Sequence, residues 1–188
     1  VLPPILRRLD MLKSFLTLGF WAALFALLFN VISQTLLSQV GLMPAFILLF
    51  VVVGIGIFFD LVGTAAAAAE EKPFHSRAAA KVSGGKTAVW LVRNADKVTT
   101  ICNDLIGDIC GTLSGAMAAA IIYRAVLINP ELSEAILSTV MIAIVAGLTV
   151  GGKAAWKRVG LSHANQIIFQ TARVIRFVYR KELDSNKR

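Results

Sequence analysis

The chain of 188 residues is 57% hydrophobic and 16% charged, with a formal net charge of +8 and a mean hydropathy of +0.74. Soluble domains carry about 25% charged residues and about 45–50% apolar ones. Here the apolar excess lies in long runs, which excludes a soluble globular domain, a disordered tail and a disulfide-rich secreted module. The composition predicts an all-α, polytopic membrane protein with four transmembrane helices, a cytoplasmic helical hairpin and an amphipathic C-terminal helix.

A span needs about 20 mostly apolar residues to cross about 30 Å of hydrocarbon. After Arg7, Arg8 and Lys13, the first run that qualifies is 15–37, which carries no charge and is too long for a signal peptide. The second, 40–62, is interrupted only by Pro44 and Asp60, and the short link at Ser38–Gln39 makes the two a tight hairpin. The third, 101–122, contains Asn103, Asp104 and Asp108. The fourth, 135–150, is short and ends at Gly151, Gly152 and Lys153, so flanking residues are expected to complete its crossing. On this division residues 1–160 form the transmembrane domain and 161–188 a cytoplasmic basic tail.

Between the second and third spans, 70–97 reads as two short helices broken at Ser83, Gly84 and Gly85, with Pro73 in a first turn. The tail from Ala154 to Lys181 reads as helical with a break near Gly160. Ile168, Ala172, Ile175 and Tyr179 recur at helical spacing beside a basic stripe of Arg173, Arg176 and Arg180. Such a helix lies in the membrane interface, and no nucleic-acid motif accompanies its charge.

Of the nineteen Lys and Arg residues, eighteen lie in the head, the 70–97 segment and the tail, and one, Arg124, lies between the third and fourth spans. The positive-inside rule then puts both termini in the cytoplasm of a multi-pass cell-membrane protein, with 123–134 as the outward loop.

Charged groups at bilayer depth usually face a bundle interior or a cavity. On an α-helix, Asp104 and Asp108 share one face with Gly107, Gly111 and Gly115. Asn103, Thr100, Thr112 and Ser114 flank that face. Two carboxylates, an amide and hydroxyls suit a hard cation such as Mg²⁺. The same residues also read as a glycine packing stripe that lets a neighbouring backbone approach, with the aspartates facing water. The sequence leaves both open. On the packing reading, leucine at Gly111 disrupts the bundle or a dimer, while leucine at a lipid-facing Ala116 is tolerated. Asp60, with Thr64 one turn later, is a candidate partner for Asp104 from the second span. His75 and His163 lack metal-ligand spacing, and no P-loop, GxSxG or dinucleotide fingerprint is present. No enzyme activity or catalytic residue is expected.

From the second span onward the chain resembles the transmembrane domain of the CNNM/CorB magnesium-transporter family. Phe58-Phe59-Asp60-Leu61-Val62-Gly63-Thr64-Ala65 stands where that family ends a span with a Phe-Phe-Ser-Gly-Ser-Glu-Thr-Ala type sequence. A basic hairpin follows at 70–93, then Asn94-Ala95-Asp96-Lys97 in place of an Asn-Pro-Asp-Arg type turn. Asn103 and Asp104 fall near the family's paired asparagines, and Leu148-Thr149-Val150-Gly151-Gly152-Lys153 falls at its Gly-Glu-x-x-Pro-Lys type motif. The resemblance covers about 58–160. It implies a homodimeric divalent-cation transporter, with Mg²⁺ as bound substrate held by Asp60, Thr64, Asn103, Asp104 and Asp108. Val62-Gly63 replaces the family's Ser-Glu and Thr149 its Glu. Residues 1–188 hold no CBS pair, which implies a separate regulatory partner. The alternative is a scaffold or accessory protein that keeps the fold without the ion site.

Overall fold

A computed structural model describes the backbone of residues 4–185, with side chains from 16 to 178 and that of Lys13. The sequence expectations for Arg7, Arg8, Tyr179, Arg180 and Lys181 concern side chains outside these described residues. The elements are helical throughout: α1 Pro4–Gln39, α2 Leu42–Ala68, α3 Lys72–Ala79, α4 Gly85–Arg93, α5 Ala95–Thr99, a π-helix Thr100–Gly107, α6 Asp108–Ile128, α7 Glu134–Ser162 and α8 Ala164–Ser185. Among the described residues there is no strand. Four helical stretches are long and apolar enough to cross a membrane: Leu16–Gln39, Leu42–Ala68, Ala95–Ile128 and Glu134–Ser162.

Three boundaries differ from the sequence expectation. Residues 123–128 continue α6, so the connection to α7 shrinks to 129–133. The fourth span does not stop at Gly151; α7 runs on to Ser162. Gly160 is not a break, because the chain turns at His163 and Gly160 is buried within α7.

The chain divides into two compact units. The first comprises residues 1–54 and 108–146. Here α1 packs along α6, and Leu37, Ala45, Leu49, Met117, Ala118, Ile121 and Ile122 are buried. The outer surface is inverted relative to a soluble protein: Phe20, Leu27, Ile47 and Ile136 are each 64–66% exposed, as lipid contact requires. Arg124 is half-buried, and its Nη1 donates a hydrogen bond to the carbonyl of Leu37. That carbonyl is among the last four of α1, which have no partner within the helix. A cation there also complements the negative end of the helix dipole.

The second unit comprises residues 55–107 and 147–188. Its core joins Val62, Ala65 and Ala66 of α2 to Phe74 of α3, Ala88 and Leu91 of α4, Val98, Cys102, and Ala164, Ile168 and Ala172 of α8. Gly84, at φ 90°, starts α4 in a conformation that L side chains rarely adopt, and a Cβ there would lie 2.9 Å from Arg173 Cγ and 3.1 Å from its backbone nitrogen. On the outside, Glu71 Oε1 accepts from Arg93 Nε at 2.5 Å and contacts His75 Nε2 at 2.8 Å, tying α3 to α4. The Arg93 guanidinium, helped by His75, holds the Glu71 carboxyl below its ordinary range against a smaller opposing effect of burial.

The Arg124 contact generates a test. Arg124→Met strips the α1 terminus of its donor, and a hydrogen bond from a charged group contributes about 1.5–3 kcal/mol. Thermal unfolding in detergent is expected to show a loss of that size, partly recovered by Arg124→Lys. An unchanged melting temperature for Arg124→Met would show that the bond contributes nothing.

Candidate cation site

Among the residues that the sequence nominates, the second unit gathers Asp60, Thr64 and Asn103. Asp60 and Thr64 lie one turn apart on α2, and the Asp60 side chain is only 16% exposed. Its cationic neighbour is Lys153 of α7, with Nζ 3.8 Å from Oδ1. That spacing is an electrostatic contact, longer than the roughly 2.7–2.9 Å of a charge-assisted hydrogen bond. An aspartate at the centre of a span costs about 2.5–3.5 kcal/mol. At about 4 Å and an effective dielectric of about 20, an ion pair gains about 4 kcal/mol. Lysine carries a similar cost, so the pairing offsets a large part of the cost of the two charges but not all of it.

Asn103 comes to α2 because Gly63 leaves room for it. A Cβ built on Gly63 would fall on Asn103 Oδ1 and lie 3.1 Å from Cys102 Cβ. Thr99 Oγ1 donates to the Gly63 carbonyl at 3.1 Å, one turn before Asn103. The amide oxygen of Asn103 is itself buried and receives no hydrogen bond. Buried polar atoms are nearly always partnered, so this oxygen stands out among the described residues.

Thr64 is buried and faces Gly160 of α7: a Cβ on Gly160 would meet Thr64 Cβ at 3.4 Å and Leu61 Cδ1 at 3.2 Å. Gly152 is similarly covered by the Ile57 side chain. The close approach of α2 and α7 thus rests on Gly152 and Gly160. Gly107, the first glycine of the expected stripe, lies 3.5 Å from Lys153 Nζ when given a Cβ.

The remaining nominations do not join this cluster. Asp104 and Asp108 are both exposed, and they belong to different units. Asp104 lies in a π-helix, Thr100–Gly107, with hydrogen bonds five residues apart, and Asp108 begins α6. Thr112 Oγ1 bonds back to its own helix at Asp108 and Ile109. Ser114 Oγ does the same at Gly111. A Cβ on Gly111 or Gly115 would meet no atom within 4 Å among the described residues. Ala116, expected to face lipid, instead lines a recess of the first unit with Ala26, Leu27, Asn30 and Thr112. No group of three or more His, Cys, Asp or Glu suited to a metal occurs among the described residues.

Lys153 is the residue whose pairing the sequence reasoning missed. That reasoning takes it as a cation at the end of the fourth span and in the 148–153 motif, with no partner named. The available signal was its depth in an apolar helix, which calls for an acidic partner as surely as Asp60 calls for a basic one. Compared with protein-family models, curated proteins and solved structures, the chain matches none of them.

The glycine geometry moves the expected packing contact within one chain from Gly111 to Gly160. Gly160→Leu drives a side chain into Leu61 and Thr64 and is expected to destabilise the protein by about 1–3 kcal/mol, the usual range for overpacking. Gly111→Leu is expected to leave the stability of a single chain unchanged. Melting curves of the two variants in detergent, at a concentration where the protein is monomeric, check this; equal losses would overturn it.

Proposed function

We propose that this chain is a multi-pass membrane protein that binds a divalent cation, with Mg²⁺ the first choice, between α2, the π-helix and α7. Asp60 and Asn103 supply the oxygens, with Thr64 nearby, and Lys153 is a tethered ammonium that holds the site until an ion displaces it. The observation that carries this reading is the buried, donor-less Oδ1 of Asn103, delivered to α2 at Gly63, one turn from a carboxylate that already holds positive charge. Carboxylate and amide oxygens are the ligands a hard cation takes. The resemblance to the CNNM/CorB transmembrane domain implies an ion path in the same helices, and transport of the ion is part of the proposal. Asp104, exposed on the π-helix next to Asn103, acts at the approach to the site.

A second reading is favoured by the Asp60–Lys153 pair itself. If Lys153 neutralises Asp60 permanently, the protein is a membrane scaffold or accessory protein, with no ion to move. Titration calorimetry of the purified chain with Mg²⁺ and Mn²⁺ separates the two. The cation reading expects saturable heat in the native chain, loss of it in Asp60→Asn, and binding about tenfold tighter, or about 1.4 kcal/mol, in Lys153→Met. Absence of saturable heat from both the native chain and a folded Lys153→Met would establish the scaffold.

The proposal includes an orientation. With eighteen of nineteen cations on one side, both termini and the α3–α4 segment face the cytoplasm, where α3 and α4 form a hairpin and α8 an amphipathic surface helix. A second copy on the open α6 face at Gly111 and Gly115, and a separate regulatory partner, complete this assembly. In a background with Cys102 and Cys110 replaced by alanine, a cysteine at Ser133 is expected to react with an impermeant thiol reagent in intact cells. One at Ser185 is expected to stay unreacted, and the reverse pattern refutes the orientation.

A further inference from the structure

The helix α8 begins at Ala164, two residues after α7 ends at Ser162. It therefore starts at the end of a helix long and apolar enough to cross a membrane. At about 100° per residue, its residues sort into three faces. Ala164, Ile168 and Ala172 form one face and are buried against α4 and its neighbours. Arg173 and Arg176 form a second, and both are exposed. Val174, Phe177 and Val178 form a third and are 62%, 70% and 59% exposed. A helix needs only its first face to dock on the protein. Three large apolar side chains on another side call for a second apolar surroundings.

We propose that this third face is an interaction surface for anionic lipid, lying in the headgroup region of the leaflet into which α7 ends, with Arg173 and Arg176 on the phosphates. Charge complementarity selects lipid over an acid-poor helix: the two described arginines flank the apolar face, and Arg180 and Lys181 follow them in sequence. A basic amphipathic helix with aromatic and aliphatic side chains opposite its cations binds in this way, and more strongly where the leaflet is anionic. Trp90, on the outer side of α4 and 58% exposed, supplies an interfacial anchor on the helix that α8 packs against. Bound lipid would also press α8 onto α4 and so brace the second unit. The inference stands independently of the cation site.

The test uses the full chain with Cys102 and Cys110 replaced by alanine and a nitroxide on Val174→Cys, in nanodiscs of phosphatidylcholine with and without 30% phosphatidylglycerol. The expected result is a label accessible to oxygen and shielded from a nickel chelate, with the oxygen-to-nickel ratio several-fold higher in the anionic discs. The double variant Arg173→Gln/Arg176→Gln, at exposed positions, is expected to remove that difference. A label open to nickel in both discs places the face in water and overturns the proposal. Shielding from both reagents assigns the face to a second copy or another protein and overturns it equally. The same ratio in both lipids removes the anionic preference.

Discussion

An aspartate and a lysine inside apolar helices set the terms for the second unit. Neither Asp60 nor Lys153 can be held at depth alone, since an isolated charge among apolar side chains costs several kcal/mol and seeks a partner or water. Their 3.8 Å contact fixes which face of α2 meets which face of α7. The small residues then follow from that constraint. Gly152 and Gly160 of α7 lie under Ile57, Leu61 and Thr64 of α2, and Gly63 opens α2 to Asn103. In lipid, where no hydrophobic drive brings helices together, such close packing and polar contact are the available attractions.

The four spans were legible because hydropathy is a one-dimensional property: a run of about 20 apolar residues is sufficient signal whatever its neighbours are. Asp60, Thr64 and Asn103 were legible for a related reason, since a polar side chain in such a run stands out by its cost. Other features depend on facing and pairing, which the linear chain conceals. Gly111 and Gly115 read as a packing stripe, but nothing in the spacing distinguishes a glycine against a helix from one in open space. The helix partner of α2 turned out to use Gly152 and Gly160, which had read as a span end and a break. The π-helix at Thr100–Gly107 carries no Pro or Gly–Ser pair to announce it. Lys153 was counted with the tail because its partner lies far back in the chain.

The count of cations, so one-sided for orientation, also conceals different tasks. Lys153 neutralises a carboxylate at depth. Arg93 joins α4 to Glu71 beside α3, and Arg77 lies 4.2 Å above the ring of Phe169, binding α3 to α8. Arg124 of α6 donates to the Leu37 carbonyl at the end of α1. The positive-inside rule treats these as equal charges, yet several are structural members. The segment between the second and third spans is accordingly a packed platform, closed by α8 and built around Phe74, Leu91 and Ile168.

Each unit is assembled from two stretches that are distant along the chain, and this bears on how the protein is made. When α2 leaves the ribosome, Asp60 has no countercharge, because Lys153 is synthesised 93 residues later. At about 5–20 residues per second, that interval is about 5–20 s. During it the nascent hairpin of α1 and α2 has to wait at the insertion machinery or at the bilayer surface with an uncompensated acid near its end. Membrane insertion and tertiary pairing are thus coupled in time, and the fourth span completes the environment of the second.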